Sequence, residues 1–169
     1  PWYGGLVGAY FQSHPAIQQA TVRFEDRANP STAHFPPTWT RTDEWYDYRT
    51  NPRANVKVLA TLDESSYDGG GMGGDHPITW CQRYDGGRSW YTGMGHTAES
   101  YADENYLKML LGGIRLATGD AAGDCRPETG YTPLFDGTQA SLDQWLHAGP
   151  GGFTLENGTI SSVGGMGLL

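Results

Sequence analysis

Apolar side chains recur along this chain with two different periods. Between Gln19 and Asp26 they fall at every second position (Ala20, Val22, Phe24), which predicts a strand with one buried face. Val56–Leu62 (Val56, Val58, Leu59, Leu62), Ile78–Tyr84 and Arg88–Tyr91 predict further strands, and Asp85-Gly86-Gly87 between the last two is a hairpin signal. Arg41–Tyr48 reads as a short strand or turn, and Pro1–His14 as a glycine-rich turn followed by a short helical or extended piece. Pro30, Pro36 and Pro37 make Arg27–Thr40 a long loop, and glycines make Ser65–Gly74 another.

The period lengthens at Asp103–Thr118. Leu107, Leu110, Leu111, Ile114 and Ala117 lie three or four residues apart, which predicts a helix with that stripe buried. Ser100-Tyr-Ala-Asp103 resembles a capping box with Asp in place of Glu, and Gly119 suits the position just past the helix end. Gly112 and Gly113 lower helix propensity and point to close packing against a sheet. The stretch 120–130 is polar and reads as a linker. Beyond it the pattern changes again: Phe153 and Leu155, then Ile160, flank Asn157-Gly158, a dipeptide favoured in tight hairpins, and Gly167-Leu-Leu suggests a third strand. Thirty-nine residues, 131–169, are too few for an independent β core, so the natural protein is expected to continue.

Composition excludes several roles. The chain has 169 residues and a net charge of −8 with no basic run, which disfavours nucleic acid and anionic membranes as partners. No apolar run is long enough to span a bilayer. Aromatic residues in glycine-rich loops suit sugar recognition, because flat rings stack on pyranose faces, and they equally suit a core. Cys81 and Cys125 admit either a disulfide or two buried thiols, and their spacing suggests no zinc site.

His96 carries the sharpest chemical signal. It follows a predicted strand, precedes the helix, and sits in Gly93-Met-Gly-His-Thr-Ala-Glu99, where glycines permit close approach of a ligand. Histidine beside a carboxylate can exchange protons near neutral pH. His96, Glu44 and His14 are therefore the candidate catalytic residues, with Tyr46, Arg88, His76 and Glu99 as candidate substrate contacts. No nucleophile elbow and no tight metal-ligand motif occurs, so neither metal nor cofactor is expected.

These motifs resemble a known family. Gly5-Leu-Val-Gly-Ala-Tyr-Phe-Gln-Ser-His-Pro15, Asp43-Glu-Trp-Tyr46, His76-Pro-Ile-Thr-Trp80, Gly86-Gly-Arg-Ser-Trp-Tyr-Thr-Gly-Met-Gly-His96 and Leu110-Leu-Gly-Gly-Ile-Arg-Leu-Ala-Thr-Gly119 look like the ThuA-like (trehalose-utilisation) domain over residues 1–119. The resemblance implies an α/β, class I glutamine amidotransferase-like fold, with a flavodoxin-like parallel sheet between helices, of which this chain would hold the C-terminal part. It implies a sugar-related role rather than glutaminase action, since the amidotransferase His-x-Glu is one residue longer here, from His96 to Glu99. Tyr131-Thr-Pro-Leu-Phe-Asp-Gly-Thr138, Leu142-Asp-Gln-Trp145 and Gly149–Ile160 resemble the opening of a 3-keto-disaccharide hydrolase domain, a concanavalin-like jelly roll, which implies that 131–169 begins a β-sandwich.

Such a fusion implies a secreted, multidomain, carbohydrate-acting protein and favours a Cys81–Cys125 disulfide. The expected function is hydrolysis or isomerisation of a sugar or keto-glycoside. The alternatives are a non-catalytic sugar-binding module and a metal-binding interaction domain in which His14, His76 and His96 converge on one ion.

Overall fold

The computed structural model describes residues 2–128, 138–156 and 159–165. It divides into two compact units, 1–129 and 130–169.

The first unit is built on a five-stranded sheet of order β3-β2-β5-β6-β7, comprising β2 (Gln18–Phe24), β3 (Thr38–Asp43), β5 (Lys57–Asp63), β6 (His76–Tyr84) and β7 (Gly87–Thr92). A two-stranded ribbon of β1 (Phe11–Ser13) and β4 (Asp47–Tyr48) accompanies it. Every pairing among the described residues is antiparallel, where the flavodoxin-like expectation called for a parallel sheet. The connections explain this: a parallel pair needs a crossover of a dozen or more residues, usually helical, and β6 passes to β7 through Asp85 and Gly86 alone. Both turn residues have positive φ (48° and 77°), the twist-matched geometry of a tight hairpin.

The central strand β5 is buried through Val58–Leu62, and separate cores form around it. One joins Ala20, Val22, Phe24, Ala60, Leu62 and Ile78 with Trp45, Met94, Tyr106 and Met109. Another gathers Ala9, Tyr48, Val56, Val58 and Trp80 near the short helix α1 (Trp2–Val7). Six residues make a weak helix, and sheet side chains take its terminal carbonyls: Trp80 Nε1 donates to Val7, Gln82 Nε2 to Gly5 and Leu6, and Ser89 Oγ to Leu6.

The long helix α2 spans Glu104–Thr118, with Gly119 left-handed at its end. Its N-cap is Asp103, whose carboxylate accepts from the backbone N–H groups of Asn105 and Tyr106; Ser100 belongs to a preceding 3₁₀ turn, Ala98–Ala102, so the expected capping box does not form. The buried face is Tyr106, Met109, Gly112, Gly113 and Leu116, one residue out of step with the expected stripe. Leu107, Leu111 and Ile114 are exposed instead. Close packing decides the rotation. The bare backbone of the two glycines abuts Pro30, Ser31 and the Trp90 ring, a distance no leucine face reaches.

Cys81 and Cys125 form a disulfide, fully buried beside Leu59 and Leu116. The stretch expected to be a linker is thereby tied to the sheet at Cys125.

In the second unit, a four-residue helix, α3 (Gln139–Leu142), is capped by Thr138, and the expected hairpin forms from β8 (Gly152–Glu156) and β9 (Thr159–Val163), with Leu155 opposite Ile160. Asn157-Gly158 and the suggested third strand at Gly167 lie outside the described residues. The described part holds one two-stranded sheet rather than the paired sheets of a β-sandwich.

Candidate functional site

Three connections place four side chains together. His14 follows β1, Glu44 and Tyr46 lie between β3 and β4, and His96 follows β7. The 44–46 turn is set by Trp45, which is wholly buried and donates its indole N–H to the Gln18 carbonyl. Anchoring Trp45 in the core fixes its two neighbours, Glu44 and Tyr46, at the site.

Glu44 is the hub. Its Oε1 lies 3.1 Å from His14 Nδ1 and its Oε2 lies 3.1 Å from His96 Nδ1. The carboxylate is largely buried (11% exposed), whereas the imidazoles are 40% and 46% exposed. His14 Nδ1 also lies 2.9 Å from the Pro15 carbonyl, an acceptor only, so this nitrogen carries the proton. Tyr46 Oη lies 3.4 Å from His96 Nδ1. Burial, then the charge of Glu44, raise the Tyr46 hydroxyl's pKa, so it keeps its proton. Among the described residues no hydrogen bond occupies Nε2 of either ring. A carboxylate on Nδ1–H orients an imidazole and leaves Nε2 to exchange a proton with a ligand. Two such rings on one carboxylate offer a base and an acid at once.

Phe11 adds an apolar wall. It is 48% exposed and stands edge-on to Tyr46, ring centroids 5.1 Å apart, with His14 at 5.9 Å. Its place at the site left no trace in the sequence, since along an extended strand such as β1 (Phe11–Ser13) residues three apart share no face.

Of the seven catalytic and substrate candidates, His96, Glu44, His14 and Tyr46 are thus brought together. The other three are not. His76 is fully buried. Its Nε2 donates to the Tyr46 carbonyl at 3.0 Å, and its Nδ1 meets Glu64 at 2.8 Å and Tyr67 at 3.1 Å. Arg88 stands at the start of β7, opposite Arg83, with its guanidinium beside Gly119 at the far end of α2. Glu99 is exposed on the 3₁₀ turn, and among the described residues no ion pair joins it to His96.

The three histidines do not form a common ligand set. Among the described residues, the group close enough to share an ion is Asp47, Glu64 and His76. Its oxygens already hold a glycine loop: Asp47 Oδ1 accepts from the Gly71 N–H, and the two Glu64 oxygens from Met72 and Gly73. The arrangement reads as a clamp on residues 71–73.

Sequence reasoning missed Asp43, which it named only as the first residue of the Asp43-Glu-Trp-Tyr46 motif and gave no role. It is fully buried, and its carboxylate accepts from the backbone N–H groups of Glu44 (2.9 Å), Gly95 (2.7 Å) and His96 (3.0 Å). Gly95 has a φ of 102°, and a side chain there would collide with the Tyr106 ring. These two demands explain the glycine before His96.

Among known proteins, the family model described as ThuA, trehalose utilisation, matches residues 1–117. A ThuA-like protein of Bacteroides uniformis is similar in structure, with 27% identity and a TM-score of 0.56 over 68% of this chain and 50% of its own. A second, from Parabacteroides merdae, shares the fold at 21% identity and a TM-score of 0.50, over 70% of this chain and 50% of its own. The chain therefore spans about half the length of these solved relatives. No curated protein matches it. No helix of the described residues is long and apolar enough to cross a membrane.

Proposed function

Because the chain belongs to the ThuA, trehalose-utilisation, family, we propose that the Glu44 site binds a sugar or keto-glycoside and performs acid–base chemistry on it. The observation that carries this reading is the single carboxylate gripping two half-exposed imidazoles at 3.1 Å each.

A 3-keto-disaccharide is the substrate class that suits such a pair. The ketone acidifies the adjacent C2–H. His96 Nε2 takes that proton, the electron pair forms the C1–C2 double bond as the C1–O bond breaks, and the His14 imidazolium protonates the departing sugar oxygen. Water added back across the double bond completes hydrolysis; reprotonation at C2 without cleavage gives isomerisation instead. No second carboxylate is needed, because the ketone rather than an oxocarbenium ion carries the developing charge. Tyr46 donates to a sugar hydroxyl, and Phe11 offers a ring edge to the pyranose.

The wider setting belongs to the same proposal. We take 1–119 as the ThuA-like domain, 120–130 as its link, and 131–169 as the opening of a 3-keto-disaccharide hydrolase-like sandwich. The buried Cys81–Cys125 disulfide favours an oxidising, extracellular location. A second reading, a sugar-binding module without turnover, draws on the exposed Phe11 ring beside the half-buried Tyr46.

Incubating the protein and its His96→Ala variant with 3-keto-trehalose decides between them. Release of monosaccharide by the parent and its loss in the variant support catalysis. Sugar binding without release in either supports the binding module. Neither binding nor release overturns both readings for this sugar.

A further inference from the structure

We infer that Asp43 is the positioning residue of this site, holding His96 against Glu44; the inference rests on the reading of these two as a working pair. Asp43 ends β3, and its Oδ1 takes the N–H groups of both Glu44 and His96 (2.9 and 3.0 Å), residues 52 positions apart in sequence. Its Oδ2 takes the Gly95 N–H at 2.7 Å and meets the Ser100 hydroxyl at 3.4 Å. One buried carboxylate thus ties the backbone of the β3–β4 turn to that of the β7–α2 connection. The imidazole-to-carboxylate distance of the proposed base follows from where these backbones are held.

The counter-ion shows what this arrangement requires. Arg41 Nη2 lies 3.0 Å from Asp43 Oδ2 and also bonds Ser100 Oγ. Its side chain is 8% exposed, with the guanidinium 4.6 Å from the Trp39 ring centroid and 4.9 Å from that of Tyr106. The two aromatic faces attract the cation, yet Nε and Nη1 are buried with no hydrogen-bond partner. Burial lowers the Arg41 pKa, and Asp43 opposes that shift. A fold that needed only to fill this space would do so more cheaply with apolar side chains. The ionised pair instead supplies an anion that accepts three backbone N–H groups converging from two connections, which no apolar side chain can do.

Histidine side-chain NMR on the intact chain tests this without substrate. In the parent, Glu44→Gln removes the charged partner of both rings, and the resonances of His14 and His96 both move. In an Asp43→Asn background, the amide donates where an acceptor is required, and the 94–97 connection moves off. The His96 response to Glu44→Gln is then lost, while the His14 response remains, because Trp45 still anchors residue 44. A His96 response equal to the parent's overturns the inference and leaves Asp43 a packing residue. Should Asp43→Asn not fold, Asp43→Glu keeps the charge but displaces it by one methylene, and the same comparison applies. A parent His96 that ignores Glu44→Gln contradicts the Glu44–His96 contact itself, and with it the proposed site. Where turnover is measurable, Asp43→Asn lowers kcat by about 100-fold with KM nearly unchanged, the signature of misplacement rather than lost binding.

Discussion

Replacing Gly112 with alanine sets two magnitudes against each other. In an isolated helix, Gly→Ala stabilises by about 1 kcal/mol. In α2, the added methyl falls inside the van der Waals contact of the Pro30 carbonyl oxygen and 2.6 Å from Ser31 Cα, both backbone positions that no rotamer change can clear. Pro30 and Ser31 cannot easily retreat. Thr32 N–H donates to the Asn29 carbonyl at 3.0 Å, Ser31 N–H to Asn29 Oδ1 at 3.0 Å, and Trp90 Nε1 to Ser31 Oγ at 3.0 Å. Overpacking of this kind costs about 1–3 kcal/mol, and pulling Trp90 off Ser31 about 1 kcal/mol more. After subtracting the propensity gain, the expected net loss is about 1–3 kcal/mol. Urea denaturation followed by tryptophan fluorescence measures it, with an unchanged m-value confirming that stability alone has moved. Ile114→Ala, on the exposed face, is the control and should stay within about 0.5 kcal/mol of the parent. A Gly112→Ala protein as stable as the parent, or more so, would refute the packing argument and restore the leucine stripe as the buried face.

Other outcomes follow from the same structure. The Cys81–Cys125 bridge spans 44 residues, so reduction should cost about 4 kcal/mol on the chain-entropy account, read as a lower urea midpoint in dithiothreitol; an unchanged midpoint would contradict it. Hydrogen bonds from Arg53 hold the Asp75 carboxyl below the usual carboxylate range. A depressed folded-state pKa adds stability that is present above the unfolded value of about 4 and is lost as pH falls through the folded one, so Tm should drop below about pH 4. Arg53→Met should flatten that drop, and an identical acid profile would refute the linkage. Tyr46→Phe removes one protonated donor from the site and should raise KM for a sugar by about tenfold, the worth of one hydrogen bond, with kcat little changed; an unaltered KM would place the hydroxyl outside the substrate's reach.

Local physics made much of this fold legible. Alternation placed Ala20, Val22 and Phe24 on the buried face of β2, and the Asp85-Gly86 turn marked the β6–β7 hairpin. Gly119 marked the end of α2. The rotation of α2 was not legible, because periodicity ranks leucine and isoleucine above glycine, whereas the sheet selects whichever face lets the backbone come closest. Strand direction was not legible either, since it depends on connections that a single strand's pattern does not record. At the site, His14, Glu44, Tyr46 and His96 could be named from residue type and position between elements. Asp43 could not, because a buried carboxylate that serves backbone N–H groups looks, in sequence, like any acidic neighbour. His76 misled for the converse reason: a histidine before a strand gave no sign that the strand would be buried along its length.

In the proposed mechanism Glu44 arms two imidazoles for proton transfer. The most direct measurement is deuterium incorporation at C2 of 3-keto-trehalose in D₂O, followed by NMR, for the parent and for Glu44→Gln. Exchange is expected in the parent, with a loss of about 10²- to 10⁴-fold in the variant. Equal exchange in both, or exchange no faster than that of the free sugar, would contradict it.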